Sequence, residues 1–166
     1  MLEQRLTEHI ACLRRLVAGA EKITAAAIMV TAVLRRGGTI FVAGNGGSAA
    51  DAQHFAAEIV GRFQRERPAW RALALTTDTS ILTAVANDYA FDEIFARQLA
   101  GLARSGDVLV VISTSGNSAN LLRAAAVARE RGLAIVGLLG RDGGRLAAAV
   151  DCAVVVDHEV TARIQE

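Results

Sequence analysis

Two stretches decide the fold: residues 39–50 read TIFVAGNGGSAA, and residues 107–120 read DVLVVISTSGNSAN. Each is a short apolar run, followed by glycine and hydroxyl residues and then by a helical pattern. Glycine lets backbone N–H groups turn toward a ligand, and a helix that begins at the same point adds the positive end of its dipole. Two such loops at one edge of a sheet predict a pocket for a small anion, most simply a phosphate ester.

The rest of the chain alternates strand and helix. Apolar runs without alternation are typical of parallel strands that are covered on both faces. Residues 1–37 carry two apolar helical repeats separated at Gly19, which predicts an N-terminal helical hairpin, and residues 38–166 predict an α/β sandwich. The predicted fold is a single doubly wound α/β domain with a five-stranded parallel sheet, flavodoxin-like, whose ligands bind beyond the carboxyl ends of the strands. The predicted strands are 39–43, 71–76, 107–113, 134–139 and 152–156, and the predicted helices after the hairpin are 48–62, 79–86, 91–104, 118–131 and 142–149.

Composition narrows the possible partners. The net charge is +1 with both signs interspersed, which argues against binding to nucleic acid or to a membrane surface. Hydrophobic residues make up 52% of the chain, much of it alanine, and this favours close helix packing and subunit contacts. Cys12 and Cys152 have no C-x-x-C spacing, so we expect two reduced thiols and a cytoplasmic protein.

The first loop also admits a nucleotide interpretation. Gly44, Gly46 and Ala49 match the dinucleotide pattern G-x-G-x-x-A. Such a site needs an acidic residue about 20 residues further on, at the end of the next strand. Here that strand ends near Asp78, well beyond this distance, and no G-x-x-x-x-G-K-[ST] motif is present. The sequence therefore argues against dinucleotide and P-loop nucleotide sites.

His54 and Glu58 are the candidate catalytic pair. They lie four residues apart on the helix that follows the first loop, and hence on one face. Together they could hold a divalent metal, or Glu58 alone could move a proton between adjacent carbons of a bound sugar. A surface ion pair is the simpler interpretation of such spacing. Ala56 and Ala57, however, leave little bulk to shield this face from a cavity.

Longer motifs carry a family resemblance. They are GNGGSAADAQHFAAE (44–58), AVANDYAFDEIFARQ (84–98), GDVLVVISTSGNSANL (106–121), GRDGG (140–144) and ARIQE (162–166). Through them the chain resembles the sugar isomerase (SIS) domain family, and most closely its heptose-phosphate subgroup. The resemblance implies conversion of sedoheptulose 7-phosphate to D-glycero-D-manno-heptose 7-phosphate through an enediol, the first step of ADP- or GDP-heptose biosynthesis. It also implies a homotetramer with one Zn²⁺ per subunit.

The resemblance also assigns residues. It implies that Glu58 is the acid–base residue and touches the substrate, and that Gln165 is both a metal ligand and a substrate contact. The implied phosphate-binding residues are Ser113, Thr114, Ser115 and Ser118; the other implied substrate contacts are Asn45, Gly46, Gly47, Ser48, Asn87 and Asp88; and the implied metal ligands are His54, Glu58 and Gln165.

One part of the family pattern is missing. The family continues past ARIQE into a long helix that carries a histidine ligand, whereas this sequence stops at Glu166. We therefore expect a truncated C-terminal helix, with the fourth zinc ligand beyond residue 166. The remaining histidines do not fit the motif: His9 is interpreted as a helix-surface residue, and His158 as a solvated turn residue.

Two other SIS functions stay open. One is a non-catalytic regulator that binds a replication initiator, or a sugar-phosphate sensor. Such relatives look similar across the loops but lack the acidic residue at the position of Glu58, so its presence favours the enzyme. The other is an isomerase of five- or six-carbon phosphates, and the segment NDYAFDEIF favours the heptose subgroup over it.

Overall fold

A parallel five-stranded sheet forms the centre of the computed structural model, which describes residues 2–166. Its spatial order is β2-β1-β3-β4-β5, so the chain leaves β1 toward one edge and returns at β3 on the other side of β1. This reversal puts the loops after β1 and β3 at the point where open α/β sheets bind ligands. The strands are β1 (Ile40–Gly44), β2 (Ala72–Ala74), β3 (Val108–Ser113), β4 (Ala134–Gly140) and β5 (Cys152–Val156).

Helices cover both faces of the sheet, as the unbroken apolar strands predict. Alternate strand residues point into two separate apolar clusters, with Phe41 and Leu109 on one face and Val42 and Val110 on the other. The helices of residues 2–166 are α1 (Leu2–Ala18), α2 (Ala20–Arg35), α3 (Gly47–Val60), α4 (Thr79–Asp88), α5 (Ala96–Leu102), α6 (Ala119–Glu130), α7 (Gly144–Ala149) and α8 (Thr161–Gln165).

The two faces have different partners. Helices α4 to α7 contribute to the Phe41 face, where Phe95, Leu99 and Leu121 are fully buried. Helices α2 and α3 cover the Val42 face. An apolar cavity of about 430 Å³ remains on that second face, lined by α2, α3 and the central strands.

Most predicted element boundaries shift by one or two residues at most, and two predicted elements are only half as long in the structure. The helix predicted over 91–104 is a 3₁₀ turn at Phe91–Glu93 followed by α5. The strand predicted over 71–76 pairs only through Ala72–Ala74, because β2 is an edge strand with a neighbour on one side.

The N-terminal helices are both present, and their geometry differs from an antiparallel hairpin. They meet at Gly19 with a bend of 64° between their axes. Arg15 of α1 donates from Nη2 to the carbonyl oxygen of Asp157 at 2.8 Å, which fastens α1 beside the end of β5. Within residues 2–166 no single helix has the length and apolar character to cross a bilayer; α1 and α2 together meet those criteria, but only as a bent pair.

Candidate active site

The loops after β1 and β3 are joined by a pair of amides. Asn45 donates from Nδ2 to Oδ1 of Asn120 at 2.9 Å, and Asn120 donates from Nδ2 to Oδ1 of Asn45 at 2.8 Å. Asn120 is buried in the first turn of α6. The two loops therefore meet at one edge of the sheet, as predicted. Asn120 links them through these hydrogen bonds, and sequence reasoning did not single it out.

The loop after β3, residues 113–118, is here called the anion loop. Oγ of Ser113 accepts a hydrogen bond from the backbone N–H of Gly116 at 3.1 Å, and Oγ of Ser115 accepts one from Asn117 at 3.2 Å. Because these hydroxyl oxygens accept from the backbone, their own hydrogens stay available to donate to an anion. Oγ of Ser118 lies 3.5 Å from Oγ of Ser113, so the hydroxyls at the two ends of the loop lie side by side.

Two helices begin at these loops without a side-chain cap. Neither Gly46, at the start of α3, nor Ser118, at the start of α6, makes a side-chain cap hydrogen bond to its helix. The first N–H groups of a helix need an outside partner, and an anion is a suitable one. Both positive helix ends thus add to the hydroxyl donors of the anion loop.

A cavity of about 300 Å³ lies against this edge of the sheet. It brings together four of the predicted site residues, from three separate parts of the sequence. They are Ser48, Ser113, Thr114 and Gln165, and the remaining lining residues are Asp51, Phe55, Ile112, Leu138, Leu139, Val154, Val156 and Ile164.

Gln165 reaches the first loop from α8. Its Nε2 donates to Oδ2 of Asp51 at 2.5 Å. Its amide also lies against Gly47: a Cβ at that position would stand 2.7 Å from Nε2 and 2.8 Å from Oε1. Gly47 is therefore required for the side chain of Gln165 to occupy this place.

The predicted pair of His54 and Glu58 forms as expected. Nε2 of His54 lies 3.2 Å from Oε1 of Glu58, with the side chains 77% and 35% exposed. They line a second cavity, of about 530 Å³, together with Asp51 and Phe55. Since Asp51 and Phe55 also line the first cavity, the two cavities adjoin along α3.

The donor atoms of His54 and Glu58 suit a zinc ion. Within residues 2–166 no group of three or more His, Cys, Asp and Glu side chains could hold a metal ion. The 3.2 Å between Nε2 of His54 and Oε1 of Glu58 nevertheless fits two ligands of one tetrahedral zinc, which stand roughly 3.3 Å apart when each bond is about 2.0 Å. An imidazole nitrogen and a carboxylate oxygen suit zinc, and any third ligand from the described chain has to be of another type, such as the amide of Gln165.

The other predicted site residues are more dispersed. Asn87 and Asp88 end α4 on an exposed surface, where Nδ2 of Asn87 donates to Oδ1 of Asp88 at 2.8 Å, and neither residue lines the two cavities above. Asn45 and Gly46 line a separate recess of about 150 Å³, between the first loop and α4.

Residues 61–70, which follow α3, donate hydrogen bonds to the last carbonyl groups of this helix. The carbonyl oxygen of Ala57 accepts from the N–H of Gly61 at 2.8 Å, and that of Glu58 accepts from Nη2 of Arg67 at 2.7 Å. The carbonyl of Ile59 accepts from the N–H of Trp70 at 3.4 Å, and the guanidinium of Arg67 lies 4.2 Å from the centroid of the Trp70 ring. Arg67 and Trp70 thus cap the helix that carries Glu58 and form a wall of its cavity.

Sequence reasoning missed Asp51, Asn117, Asn120 and Arg67. The first three lie inside the quoted motifs, and the position of Asp51 one turn before His54 was a usable signal. No local pattern distinguishes Arg67 from the other arginines of the segment 62–71.

The remaining histidines are only partly as expected. His158 lies in the turn before α8, where its Nδ1 accepts from the N–H of Val160 at 2.9 Å. His9 is half-buried rather than at the surface, and its Nδ1 is enclosed with no hydrogen-bond partner among residues 2–166.

The placement of α1 could not be predicted from the sequence. The bend between α1 and α2 and the packing of α1 beside β5 are tertiary features that the helical pattern does not encode.

Comparison with known proteins gives consistent matches. The family model described as SIS domain matches residues 6–140. The phosphoheptose isomerase of Geobacter metallireducens is 59% identical over 145 residues, which cover 87% of this chain and 77% of that protein.

Two solved structures are similar over nearly the whole chain. A phosphoheptose isomerase from Neisseria gonorrhoeae is 48% identical with a TM-score of 0.83, over 99% of this chain and 91% of that one. A phosphoheptose isomerase from Francisella tularensis is 35% identical with a TM-score of 0.94, over 99% of this chain and 88% of that one.

Proposed function

The chain belongs to the SIS domain family, and on that premise we propose that it is a ketose–aldose isomerase that converts sedoheptulose 7-phosphate to D-glycero-D-manno-heptose 7-phosphate. Relatives that are 51% to 59% identical are named phosphoheptose isomerase. The regulator interpretation is not favoured, because these relatives are enzymes and the acidic residue Glu58 is present.

One observation carries the proposal: the cavity beside the anion loop and the cavity of Glu58 adjoin along α3. The sugar phosphate binds with its phosphate at the anion loop and its reacting carbons toward Glu58. Ser48 and Glu58 are about 15 Å apart along the helix axis, at about 1.5 Å rise per residue. Helical side chains lean toward the N-terminus, so Glu58 reaches back toward the loops, and a long carbon chain spans the remaining gap more readily than a short one.

Glu58 transfers the proton. Its carboxylate removes a proton from C1 of the ketose while the C2 carbonyl oxygen takes one from water, so that a C1=C2 enediol forms. Glu58 then returns its proton to C2, and the C1 hydroxyl gives its proton back to water as the aldehyde forms. Oε1 of Glu58 faces His54, so Oε2 is the oxygen that exchanges the proton with the sugar. The bound phosphate keeps the reacting carbons at this carboxylate, which is how a remote group raises the rate.

We propose Zn²⁺ as the cofactor of this site. Nε2 of His54, a carboxylate oxygen of Glu58 and Oε1 of Gln165 would hold it; Oε1 is the available amide atom because Nε2 donates to Asp51. When bound, zinc would polarise the carbonyl and hydroxyl oxygens of the sugar as a Lewis acid. The chain's own residues still carry out the proton transfer and the phosphate binding.

We further propose a homotetramer in the cytoplasm. The apolar residues of α1 form an exposed stripe, in which Leu2 is 82% and Val17 is 72% exposed, and other copies of the chain would cover it. The other members of the stripe are Leu6, Ile10 and Leu13. Cys12 and Cys152 are both free and buried, which fits a reducing compartment.

The decisive experiment is an isomerase assay on ketose phosphates of five, six and seven carbons, with and without added Zn²⁺. We expect the highest kcat/KM with sedoheptulose 7-phosphate. A preference for a shorter sugar would contradict the heptose assignment, and no turnover of any of them would support the regulator instead.

A further inference from the structure

The anion loop is fastened on one side to the segment that follows β4, residues 140–146. Nδ2 of Asn117 donates to the carbonyl oxygen of Ser115 at 2.8 Å, and its Oδ1 accepts from the N–H of Arg145 at 3.1 Å. The carbonyl oxygen of Gly116 accepts from the N–H of Leu146 at 2.9 Å. Two N–H groups at the start of α7 are therefore bonded to the anion loop.

The two segments meet backbone to backbone. Gly116 has φ +65°, and a Cβ at this position would collide with the carbonyl oxygen of Gly143. A Cβ on Gly144 would stand 2.6 Å from Nδ2 of Asn117. Such close contact restricts the position of the loop relative to α7.

This arrangement decides which atoms the loop presents to an anion. Most apolar residues that line the cavity of the anion loop, such as Phe55, Ile112 and Leu138, belong to the sheet face covered by α2 and α3. Leu146 of α7 packs on the opposite face. The carbonyl oxygens of Ser115 and Gly116 are thus drawn toward α7, while Ser113 and Thr114 of the same loop line the cavity. A carbonyl oxygen turned toward a phosphate would repel it.

We infer that Asn117 is a positioning residue for phosphate binding: it holds the carbonyl of Ser115 toward α7, so that the ligand meets hydrogen-bond donors of the anion loop. The inference rests on the proposed function, since it takes the anion loop as the phosphate site. Asparagine suits this place because its amide donates to one backbone group and accepts from another. Aspartate can only accept, and alanine can do neither.

The test compares Asn117→Ala with the parent protein and with Arg145→Ala. Arg145 is exposed, and its hydrogen bond to Asn117 comes from the backbone N–H, which the substitution keeps. Calorimetric titration with inorganic phosphate gives Kd, and steady-state assays with sedoheptulose 7-phosphate give KM and kcat. For Asn117→Ala we expect Kd and KM to rise about tenfold while kcat per folded site stays within about threefold, and we expect no change for Arg145→Ala.

Asn117→Ser is measured alongside and replaces the alanine variant if that one does not fold. Its hydroxyl keeps an acceptor near Arg145 and loses the bond to Ser115, so its Kd for phosphate is expected between those of the parent and Asn117→Ala. Parental phosphate affinity in the folded Asn117 variants overturns the inference. So does an equal loss in Arg145→Ala, or a parent that binds no phosphate.

A wrong assignment of the function would give a different experimental result from a wrong assignment of Asn117. A parent that binds inorganic phosphate but isomerises no ketose phosphate refutes the isomerase. The comparison of phosphate affinities between parent and Asn117→Ala still decides the role of Asn117, because it does not depend on turnover.

Discussion

Gln165 and Asp51 are 114 residues apart in sequence and share a hydrogen bond of 2.5 Å. An ionised carboxylate only accepts, so the amide nitrogen of Gln165 faces Asp51 and its oxygen is left for another partner. Asp51 therefore fixes which atom of the Gln165 amide the site can use.

Replacing Asp51 with alanine is expected to weaken Zn²⁺ binding by about 10- to 100-fold, the usual effect of losing a partner that orients a metal ligand. Competition with a chromophoric chelator measures the zinc affinity directly. Asp51→Asn is the matched control, because its Oδ1 can still accept from Gln165 and the loss should be smaller. Parental zinc affinity in Asp51→Ala would show that Gln165 needs no such orientation.

Glu58→Gln keeps the size of the side chain and removes the base. We expect kcat with sedoheptulose 7-phosphate to fall by about 10²- to 10⁴-fold, with phosphate affinity largely kept. Glu66→Gln is the control, since Glu66 is an exposed glutamate that pairs with Arg62 at 3.3 Å. If Glu58→Gln keeps the kcat of the parent protein, Glu58 is not the residue that transfers the proton.

Ser115→Ala and Ser118→Ala each remove a hydroxyl donor from the anion loop. Each is expected to weaken the binding of inorganic phosphate and of the sugar phosphate by about tenfold, since hydrogen bonds to charged groups are among the stronger ones. Thr83→Ala serves as the control, because the Thr83 hydroxyl bonds only within α4, to the carbonyl of Thr79 at 2.6 Å. Unchanged phosphate affinity in both serine variants would place the phosphate elsewhere.

Arg67→Ala removes the cap on the carbonyl of Glu58 and the stacking on Trp70. The free energy of unfolding is expected to fall by about 1 to 2 kcal/mol, as the sum of one hydrogen bond and one cation–π contact. Urea unfolding measures this, with the exposed Arg65→Ala as the comparison. An equal stability of the two variants would mean that the Arg67 cap contributes nothing.

Leu6→Asp places a charge in the exposed apolar stripe of α1, where Leu6 is 58% exposed. If other copies cover this stripe, sedimentation at micromolar concentration should show smaller species for this variant than for the parent protein. Gln4→Asp, at an exposed polar position of the same helix, should leave the assembly unchanged. A parent that is a stable monomer would refute the tetramer.

The sequence predicts the elements of this fold well, because the strands are buried on both faces and glycines mark the turns. The unbroken apolar runs locate β1 and β3, the glycine and hydroxyl residues mark the loops after them, and the spacing of His54 and Glu58 predicts their contact. The break before α5 and the 64° bend between α1 and α2 escape such reasoning, since tertiary packing decides them.

The contacts that organise the site are harder to predict. Asn45 with Asn120, Asn117 with Arg145 and Asp51 with Gln165 are long-range hydrogen bonds. Their residue types are equally typical of exposed loops and helix ends, so no local pattern identifies the partners. The arrangement of the chain in space brings each pair together.

The close approach of Gln165 to Gly47 makes these two positions evolutionarily interdependent. Any side chain at position 47 would take the volume that the amide of Gln165 fills. A lineage that abandons the glutamine is free to lose the glycine, whereas one that keeps it can lose the glycine only if the amide of Gln165 moves. We therefore expect positions 47 and 165 to covary among related sequences. Relatives that keep both the glycine and the glutamine are the ones expected to use this site.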